Sequence, residues 1–358
     1  MTAHAPDSRA PHPRGDVTLR PYRAGDEVGI VEAFNRIFGG VDPNFRPRTL
    51  AHWRWEFAEN PAGFEAWLAV MPEDGATSDG AERVVGQYAA WVQPVLLEGR
   101  PATFLHGVDS MTDPAVRRSL AKGGVFARLG NAFLDHFGGE APERVPVIWG
   151  PPVPSAWRIG KTQIRYVLVR TQTKLVLERD GLAAGGTGVA SGIEVTSCEA
   201  VPEDVGEPFE RFARAHGAIV VRDRARTDWR FFRHPERRYT FLAARRGGAL
   251  VGYCVATRGD FDGETNEMVL CDWVVPASEG PAGRALLGAL VDEARAQETS
   301  RVTAVLSDTA RAWLDLQEAG FRVRPTGYLV AARVYDARYE ERWLHRNFYY
   351  TLGDMDLI

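Results

Sequence analysis

Residues 107–129 combine residue types that suit the binding of a pyrophosphate. A candidate strand ends just before Pro114, and a basic loop leads from there into an apolar helical pattern. Backbone N–H groups at a helix N-terminus lack intrahelical partners and the helix dipole favours negative charge there, while glycine lets a phosphate approach the backbone closely. The sequence therefore predicts an anion-binding loop. Its cationic and glycine residues are Arg117, Arg118, Lys122, Gly123 and Gly124.

Two titratable side chains on the strand before this loop, His106 and Asp109, are candidates for a general base. Positions three apart in an unbroken strand face opposite sides of the sheet, so at most one points at a common substrate unless a bulge intervenes. A carboxylate also attracts a cationic substrate, which favours Asp109. The structural alternatives are a cap or turn role for Asp109 and a packed or surface position for His106.

Periodicity around this segment predicts the elements that position it. A strand at residues 17–20 precedes a helical pattern that begins after Asp26, and strands at residues 84–94 and 103–111 form an antiparallel meander. An amphipathic helix over residues 124–137 follows. Helices packed on such a sheet make an α+β domain.

The second half of the chain repeats landmarks of the first half in the same order, which predicts an internal duplication. The matching pairs are Trp55-Glu56-Phe57 with Trp229-Arg230-Phe231, Asn60-Pro61 with His234-Pro235, Trp67-Leu68-Ala69 with Phe241-Leu242-Ala243, Val85-Gly86 with Val251-Gly252, Asp109 with Asp272, and Ala156-Trp157 with Ala312-Trp313.

One segment of small residues predicts where the two halves meet. Residues 181–192 are almost wholly small, with Gly and Ala predominant, which is typical of a flexible linker. The predicted division is a disordered tail at 1–15, a first domain at 16–180, the linker at 181–192 and a second domain at 193–358.

Composition disfavours several classes of protein. The net charge of −4 does not suggest a nucleic-acid partner, and no apolar run approaches the ~18 residues of a membrane span. Cys198, Cys254 and Cys271 have no paired spacing, which disfavours a disulfide framework or a zinc site. We expect a cytoplasmic protein without a metal or a membrane partner. The sequence does not specify an oligomeric state.

The strand, proline, basic loop, glycines and apolar helix resemble the acetyl-CoA loop of GNAT acyltransferases, written Arg/Gln-x-x-Gly-x-Gly/Ala. The resemblance extends to Leu19-Arg20-Pro21 with Asp26, to the Gly86 strand and to the helix at 156–160. The order of the whole chain resembles that of bacterial tandem-GNAT proteins. This implies two tandem GNAT-like domains, each a mixed, mostly antiparallel sheet flanked by helices, of which the first binds acetyl-CoA as a co-substrate.

The resemblance also implies roles for individual residues. The pyrophosphate would be held by Lys122, Gly123, Gly124, Val125 and Phe126. The backbone of Ser110, Met111 and Thr112 would bind the pantetheine arm. The loop is longer than the usual motif by the three residues 119–121.

The tyrosine that usually acts as the acid in this family is replaced here by Trp157, and Tyr166 is only a weak substitute. The second half lacks the basic loop, because Glu279 and Pro281 stand where the cradle would be. Proline removes an amide donor and glutamate repels phosphate. We therefore expect a degenerate second domain with a structural or substrate-shaping role.

The C-terminus is another candidate source of catalytic groups. Tandem acetyltransferases of the enhanced-intracellular-survival type direct a C-terminal carboxylate into the first-half site. By this resemblance the Ile358 carboxylate is a candidate, and Asp354 and Asp356 lie close to it after the aromatic run 348–350. The alternative is an edge strand that merely finishes the second sheet.

Two other patterns have a structural and a functional interpretation. The stretch with Trp53, Trp55 and Phe57 has helical spacing and recurs in the second half, which favours core packing over a sugar platform. Arg222, Arg224 and Arg226 are expected to form a solvated face, with anion binding as the alternative.

The function that the resemblance implies is N-acetyl transfer. The acyl group of acetyl-CoA would pass to a primary amine of a small metabolite, such as an amino sugar, by direct attack in a ternary complex. The alternatives are a femABX-like aminoacyl transferase and a non-catalytic acyl-CoA-binding protein.

Overall fold

The computed structural model describes residues 16–40, 45–73, 82–116, 123–141, 144–184 and 192–358. The strands are β1 (Thr18–Pro21), β2 (Phe64–Pro72), β3 (Glu82–Leu97), β4 (Arg100–Thr112), β5 (Val147–Gly150), β6 (Val167–Glu178), β7 (Glu194–Cys198), β8 (Ala218–Val220), β9 (Thr240–Arg246), β10 (Ala249–Phe261), β11 (Glu264–Val274), β12 (Arg301–Ala304), β13 (Arg322–Val334) and β14 (Phe348–Tyr349).

The α-helices flank a mixed sheet in which runs of strands, β2-β3-β4 and β9-β10-β11, follow one another without a helix, so the predicted α+β class is confirmed. They are α1 (Asp26–Gly39), α2 (Leu50–Trp53), α3 (Val125–Phe137), α4 (Pro154–Ile159), α5 (Arg179–Ala184), α6 (Gly206–Ala213), α7 (Arg224–Thr227), α8 (Gly280–Ala296), α9 (Arg311–Glu318) and α10 (Glu341–Asn347). Single π-helical turns occur at Arg54–Ala58, Gly160–Ile164 and Asp228–Phe232, and 3₁₀ turns at Ala277–Glu279, Ala337–Tyr339 and Leu352–Asp354.

The chain groups into two compact units. The first unit comprises the residues up to 50 together with 65–89 and 109–136, and the second comprises 51–64, 90–108 and 137–358. Strands β3 and β4 contribute residues to both units, so this grouping differs from a division at the Gly-rich segment. The predicted domain limits stay predictions. Helix α5 occupies the start of the predicted linker, and residues 1–15 and 185–191 lie outside the described residues.

In the first unit, strand β1 pairs antiparallel with β2, and the order continues to β3 and β4. The amphipathic helix α3 buries the stripe that its sequence predicts, including Leu129 and Phe133. Gly86 allows β3 and β4 to approach each other, since a Cβ there would stand 3.3 Å from the Met111 carbonyl oxygen. A larger residue at this position would push the two strands apart.

In the second unit the sheet runs in the order β4-β5-β13-β6-β12-β11-β10-β9-β7, and β8 pairs with both β3 and β14. The β4–β5, β11–β12 and β8–β14 pairs are parallel, and the other described pairs are antiparallel. The sheet is therefore mixed and mostly antiparallel. Its main core includes Phe241, Tyr253 and Leu286.

Two structural features agree with the internal duplication. A Cβ at Gly252 would stand 3.2 Å from the Val274 carbonyl oxygen. Gly86 allows the same close approach of neighbouring strands in the first half. The repeated tryptophans also contact each other reciprocally. The Trp55 indole N–H donates to the Trp229 carbonyl (2.9 Å), the Trp229 indole N–H donates to the Trp55 carbonyl (2.7 Å), and the rings stack.

The predicted core packing of the tryptophan stretch is also observed, because Trp53, Trp55 and Phe57 are all buried.

Replacing Trp229 by Phe should keep most of the ring packing but leave the buried Trp55 carbonyl without its donor. We expect the free energy of unfolding to fall by about 1–3 kcal/mol. Urea denaturation measures this change, with the half-exposed Trp157→Phe as control. Equal stability of Trp229→Phe and the wild type would mean that the reciprocal hydrogen bonds contribute nothing.

Candidate active site

The predicted cofactor loop is described only in part. Arg117, Arg118 and Lys122 lie outside the described residues. Gly123 has a φ of +83°, a backbone conformation that favours glycine, and the Gly124 carbonyl accepts the first helical hydrogen bond, from Arg128 (3.1 Å). Helix α3 therefore begins immediately after the two glycines, as the sequence predicts.

The side chains of the first residues of α3 pack within the first unit. Val125 is buried and Phe126 lies beside Tyr88, with ring centroids 6.2 Å apart. Ser110, Met111 and Thr112 form the end of β4, and the Asp113 amide donates to the Val85 carbonyl of β3 (2.8 Å). The roles predicted for these residues in binding acetyl-CoA stay predictions.

Asp109 lies in the first unit, in a left-handed conformation with a φ of +48°. Its carboxylate forms an ion pair with Arg48, whose guanidinium lies 3.9 Å from the centre of the Phe34 ring. The carboxylate thus has a cationic partner in the same unit, which is a structural role for the residue. Its predicted role as a general base is not tested by this contact.

In the second unit, the parallel pair of β4 and β5 is short. It comprises only Leu105 opposite Ile148 and His106 opposite Trp149. Gly107 and Gly150 follow, and a Cβ at Gly150 would stand 3.1 Å from the Gly107 carbonyl oxygen. The absence of a side chain at residue 150 therefore permits close contact of the two backbones just beyond the last paired residues.

His106 is fully buried beside this point. Its ring lies 4.5 Å from the Trp149 ring and 5.6 Å from the Trp91 ring, measured between centroids. The Nε2 atom lies 3.3 Å from the Asp356 carboxylate, which belongs to the C-terminal segment 348–358. The histidine is therefore packed, as one interpretation of the sequence expected, but it also has a titratable partner that the sequence did not indicate.

Three buried arginines hold the C-terminal segment. Arg222 and Arg226 donate to the Asp354 carboxylate at 2.5 Å and 3.1 Å. Arg230 donates to the carbonyl oxygens of Gly353 and Met355 at 3.2 and 2.9 Å and to an oxygen of the Ile358 carboxylate at 3.1 Å. The catalytic role predicted for the Ile358 carboxylate stays a prediction.

The interpretation of Arg222 and Arg226 as a solvated face was therefore wrong. Both are less than a tenth exposed, and only Arg224 of the three is exposed. They bind an anion, but it is Asp354 of the same chain. Burial alone would lower the pKa of Arg222, but the Asp272 and Asp354 carboxylates outweigh burial and raise it.

The position expected for an acid offers no hydroxyl. Trp157 is half-buried in α4. Tyr166 packs against the turn at Gly160, where a Cβ would stand 2.1 Å from its ring. Nothing in these contacts assigns an acid role to Tyr166.

The second half contains a corresponding parallel pair, β11 with β12, whose last paired residues are Leu270 and Ala304. Beyond them, the C-terminal segment lies in the gap between β11 and the residues that follow β12. The Ser307 amide donates to the Tyr350 carbonyl (3.1 Å), and Leu306 forms a bridge with Thr351. The Tyr349 hydroxyl donates to the Trp273 carbonyl of β11 (2.7 Å). The Ser307 amide and the Trp273 carbonyl are thus already bonded within the chain.

A cavity of 810 Å³ remains next to this gap, at the N-terminus of α8. Arg284 and Arg346 line it without an ion-pair partner among the described residues, whereas Arg311 pairs with Asp315 (2.7 Å). His216 is a further lining residue.

The structure changes the physical reason for expecting a degenerate second half. The Glu279 carboxylate pairs with Arg246 (2.7 Å), so its charge is compensated. Pro281 lies in the first turn of α8, where a missing N–H breaks no helical hydrogen bond. The stronger obstacle to cofactor binding is the C-terminal segment inside the gap. Degeneracy of this half stays a prediction.

Comparisons with known proteins identify the fold. No protein-family model matches the sequence, and no curated protein matches it. A tandem GNAT protein from the clavulanic acid biosynthesis pathway is 16% identical with a TM-score of 0.54, over 89% of this chain and 98% of its own.

GCN5-related N-acetyltransferases from Anabaena variabilis and Kribbella flavida are 13% and 16% identical, with TM-scores of 0.62 and 0.59. Each matches 90% of this chain, and 73% and 72% of its own. The chain therefore has the fold of GNAT N-acetyltransferases, as the resemblance implied.

In the described part of the chain, no helix is long and apolar enough to span a membrane. The same residues contain no group of three or more side chains that could hold a metal ion.

Replacing Asp354 by Asn should strongly destabilise the protein, because Arg226 would remain buried without a carboxylate and Arg222 would keep only its longer pair with Asp272 (3.4 Å). Breaking a buried ion pair costs on the order of 3–5 kcal/mol. Urea unfolding gives the value, and Asp315→Asn, in a half-exposed pair with Arg311, serves as control. A loss for Asp354→Asn no larger than that of the control would contradict this role for Asp354.

Stability should decline in mild acid partly because of His216. Burial, and secondarily Arg222, lowers the pKa of His216 to about 4. The unfolded chain takes up a proton near pH 6.5, which the folded chain resists until about pH 4, so this contribution is complete above 6.5 and is lost as the pH falls through that window. Urea unfolding at several pH values should show a shallower decline for His216→Gln, and an unchanged slope would refute the assignment.

Proposed function

We propose that this protein is an acyl-CoA-dependent N-acyltransferase. It binds acetyl-CoA in its first half and transfers the acyl group to the primary amine of a small metabolite, such as an amino sugar. The observation that carries the proposal is the short parallel β4–β5 pair, which ends at His106 in a chain with the GNAT fold. A buried titratable side chain with a carboxylate partner lies at that end.

The described residues of the first half fit a pyrophosphate. Gly123 adopts a conformation that favours glycine, and a helix of thirteen residues begins just after it. The amides of Val125 and Phe126 lie in the first turn, where the helix itself provides no acceptor for them. Arg117, Arg118 and Lys122 would supply positive charge from the same loop.

Acetyl-CoA supplies the thioester carbon that the amine attacks. A group of this chain has to remove a proton from the substrate ammonium. His106 is the first candidate for this general base, because its Nε2 atom contacts the Asp356 carboxylate. Asp109 is engaged by Arg48 in the first unit and is the second candidate. A thiol has an ordinary pKa of about 8.5, so the thiolate can leave without a dedicated acid, which accommodates Trp157.

The second half is assigned a structural role. Its gap between β11 and the residues after β12 holds the C-terminal segment, through bonds from Tyr349 and to Tyr350. A pantetheine arm would have to displace that segment. One cofactor site per chain is therefore expected.

Two other functions predict different behaviour. A femABX-like aminoacyl transferase would use charged tRNA, for which the net charge of −4 is unfavourable. A non-catalytic acyl-CoA-binding protein would bind acetyl-CoA but release no CoA with any amine.

A matched pair of glycine substitutions locates the cofactor. Gly124→Glu places a carboxylate at the N-terminus of α3 and should weaken acetyl-CoA binding by roughly tenfold or more, because like charges repel at short range. Gly283→Glu makes the same change in the first turn of α8 and should leave binding intact. Isothermal titration measures both affinities.

Release of free CoA with a panel of amines then tests catalysis by the wild type. Loss of binding in Gly283→Glu alone would place the cofactor in the second half. Binding without release for every amine would support the non-catalytic alternative.

A further inference from the structure

Only one of the two ring nitrogens of His106 has a hydrogen-bond partner among the described residues. Its Nε2 atom contacts the Asp356 carboxylate, whereas Nδ1 has no hydrogen-bond partner among the described residues. The side chain is fully buried, and an unpaired buried polar atom costs about 1–3 kcal/mol. Such an atom calls for a functional explanation.

Two of the polar side chains in the neighbourhood of His106 are paired. The Trp149 indole N–H donates to the Gln93 side-chain oxygen (3.0 Å), and the Gln93 amide donates to the Asp354 carbonyl (2.8 Å). The Trp91 indole Nε1, whose ring also lies beside His106, is a second buried polar atom without a partner among the described residues.

Asp356 is fixed from both sides along the chain. Before it, the Asp354 carboxylate is bound by Arg222 and Arg226. On both sides of it, Arg230 holds the backbone oxygens of Met355 and Ile358. The carboxylate of Asp356 is thus presented to His106 by a rigid segment, and about a quarter of its side chain (23%) remains exposed.

We infer that Asp356 is a positioning residue that makes His106 the general base, an inference that rests on the proposed function. A carboxylate accepts hydrogen bonds only, so the proton of neutral His106 must reside on Nε2 and the lone pair on Nδ1. This is the arrangement in which a carboxylate orients a catalytic imidazole and stabilises the imidazolium that forms.

The proton balance is complete. Because Nδ1 is buried, the substrate ammonium passes one proton to it through one intervening water. The neutral amine then attacks the thioester carbon as the carbon–sulfur bond breaks. The departing thiolate takes the second amine proton and becomes the thiol. The imidazolium, stabilised by Asp356, returns its proton to solvent.

The test compares Asp356→Asn, Asp356→Glu and His106→Gln by steady-state kinetics. For Asp356→Asn and His106→Gln we expect kcat to fall on the order of 10²-fold with KM for acetyl-CoA unchanged. Asp356→Glu should recover part of the loss, and the double variant Asp356→Asn/His106→Gln should be no slower than either single variant. Asp292→Asn, in an exposed pair with Arg295, is the matched control.

Imidazole nitrogen chemical shifts add a readout that a merely structural contact would not move. Wild-type His106 should carry its proton on Nε2, and Asp356→Asn should lose that preference while the protein stays folded. If the wild type turns over, two results would overturn this inference but not the proposed function. One is a full kcat in Asp356→Asn, and the other is a kcat loss in the double variant equal to the product of the two single losses. Absence of turnover in the wild type with every amine would instead overturn the proposed function, and the catalytic role of this pair with it.

Discussion

The Asp354 carboxylate, buried among arginines, is the interaction on which the second unit depends. Arg222 and Arg226 bind the carboxylate, and Arg230 binds the neighbouring backbone. Charges in the interior are tolerated only when they are paired and hydrogen-bonded, so these arginines and the C-terminal segment require each other. That mutual requirement places the segment in one conformation, from Tyr349 in the gap beside β11 to Asp356 beside His106.

This segment distinguishes two halves that are otherwise similar. Both contain a glycine that lets neighbouring strands approach, and both contain a short parallel strand pair. In the second half, Tyr349 and Tyr350 bond to the backbone groups at the gap. In the first half, the pairing of β4 with β5 ends at His106. The C-terminal segment thus occupies the gap beside β11 and also supplies the Asp356 carboxylate near the end of the β4–β5 pair.

Much of the fold could be predicted from local patterns. Hydrophobic periodicity predicted the helix α3, and the repeated Trp55 and Trp229 are buried, as their recurrence suggested. That the two rings stack on each other was not predicted. The residues of the candidate site were harder to predict from the sequence. Asp356 lies 250 residues from His106, and no local spacing indicates that they meet. The alternation of Arg222 and Arg226 was typical of a solvated face, because a sequence does not show which distant carboxylate will compensate a buried charge.

The stoichiometry of acetyl-CoA binding, measured by isothermal titration of the full chain, tests the central claim most directly. One acetyl-CoA per chain is expected, because the C-terminal segment already bonds to the backbone groups of the second gap. Two per chain would show that the segment does not exclude a second cofactor. No binding at all would contradict the proposed function itself.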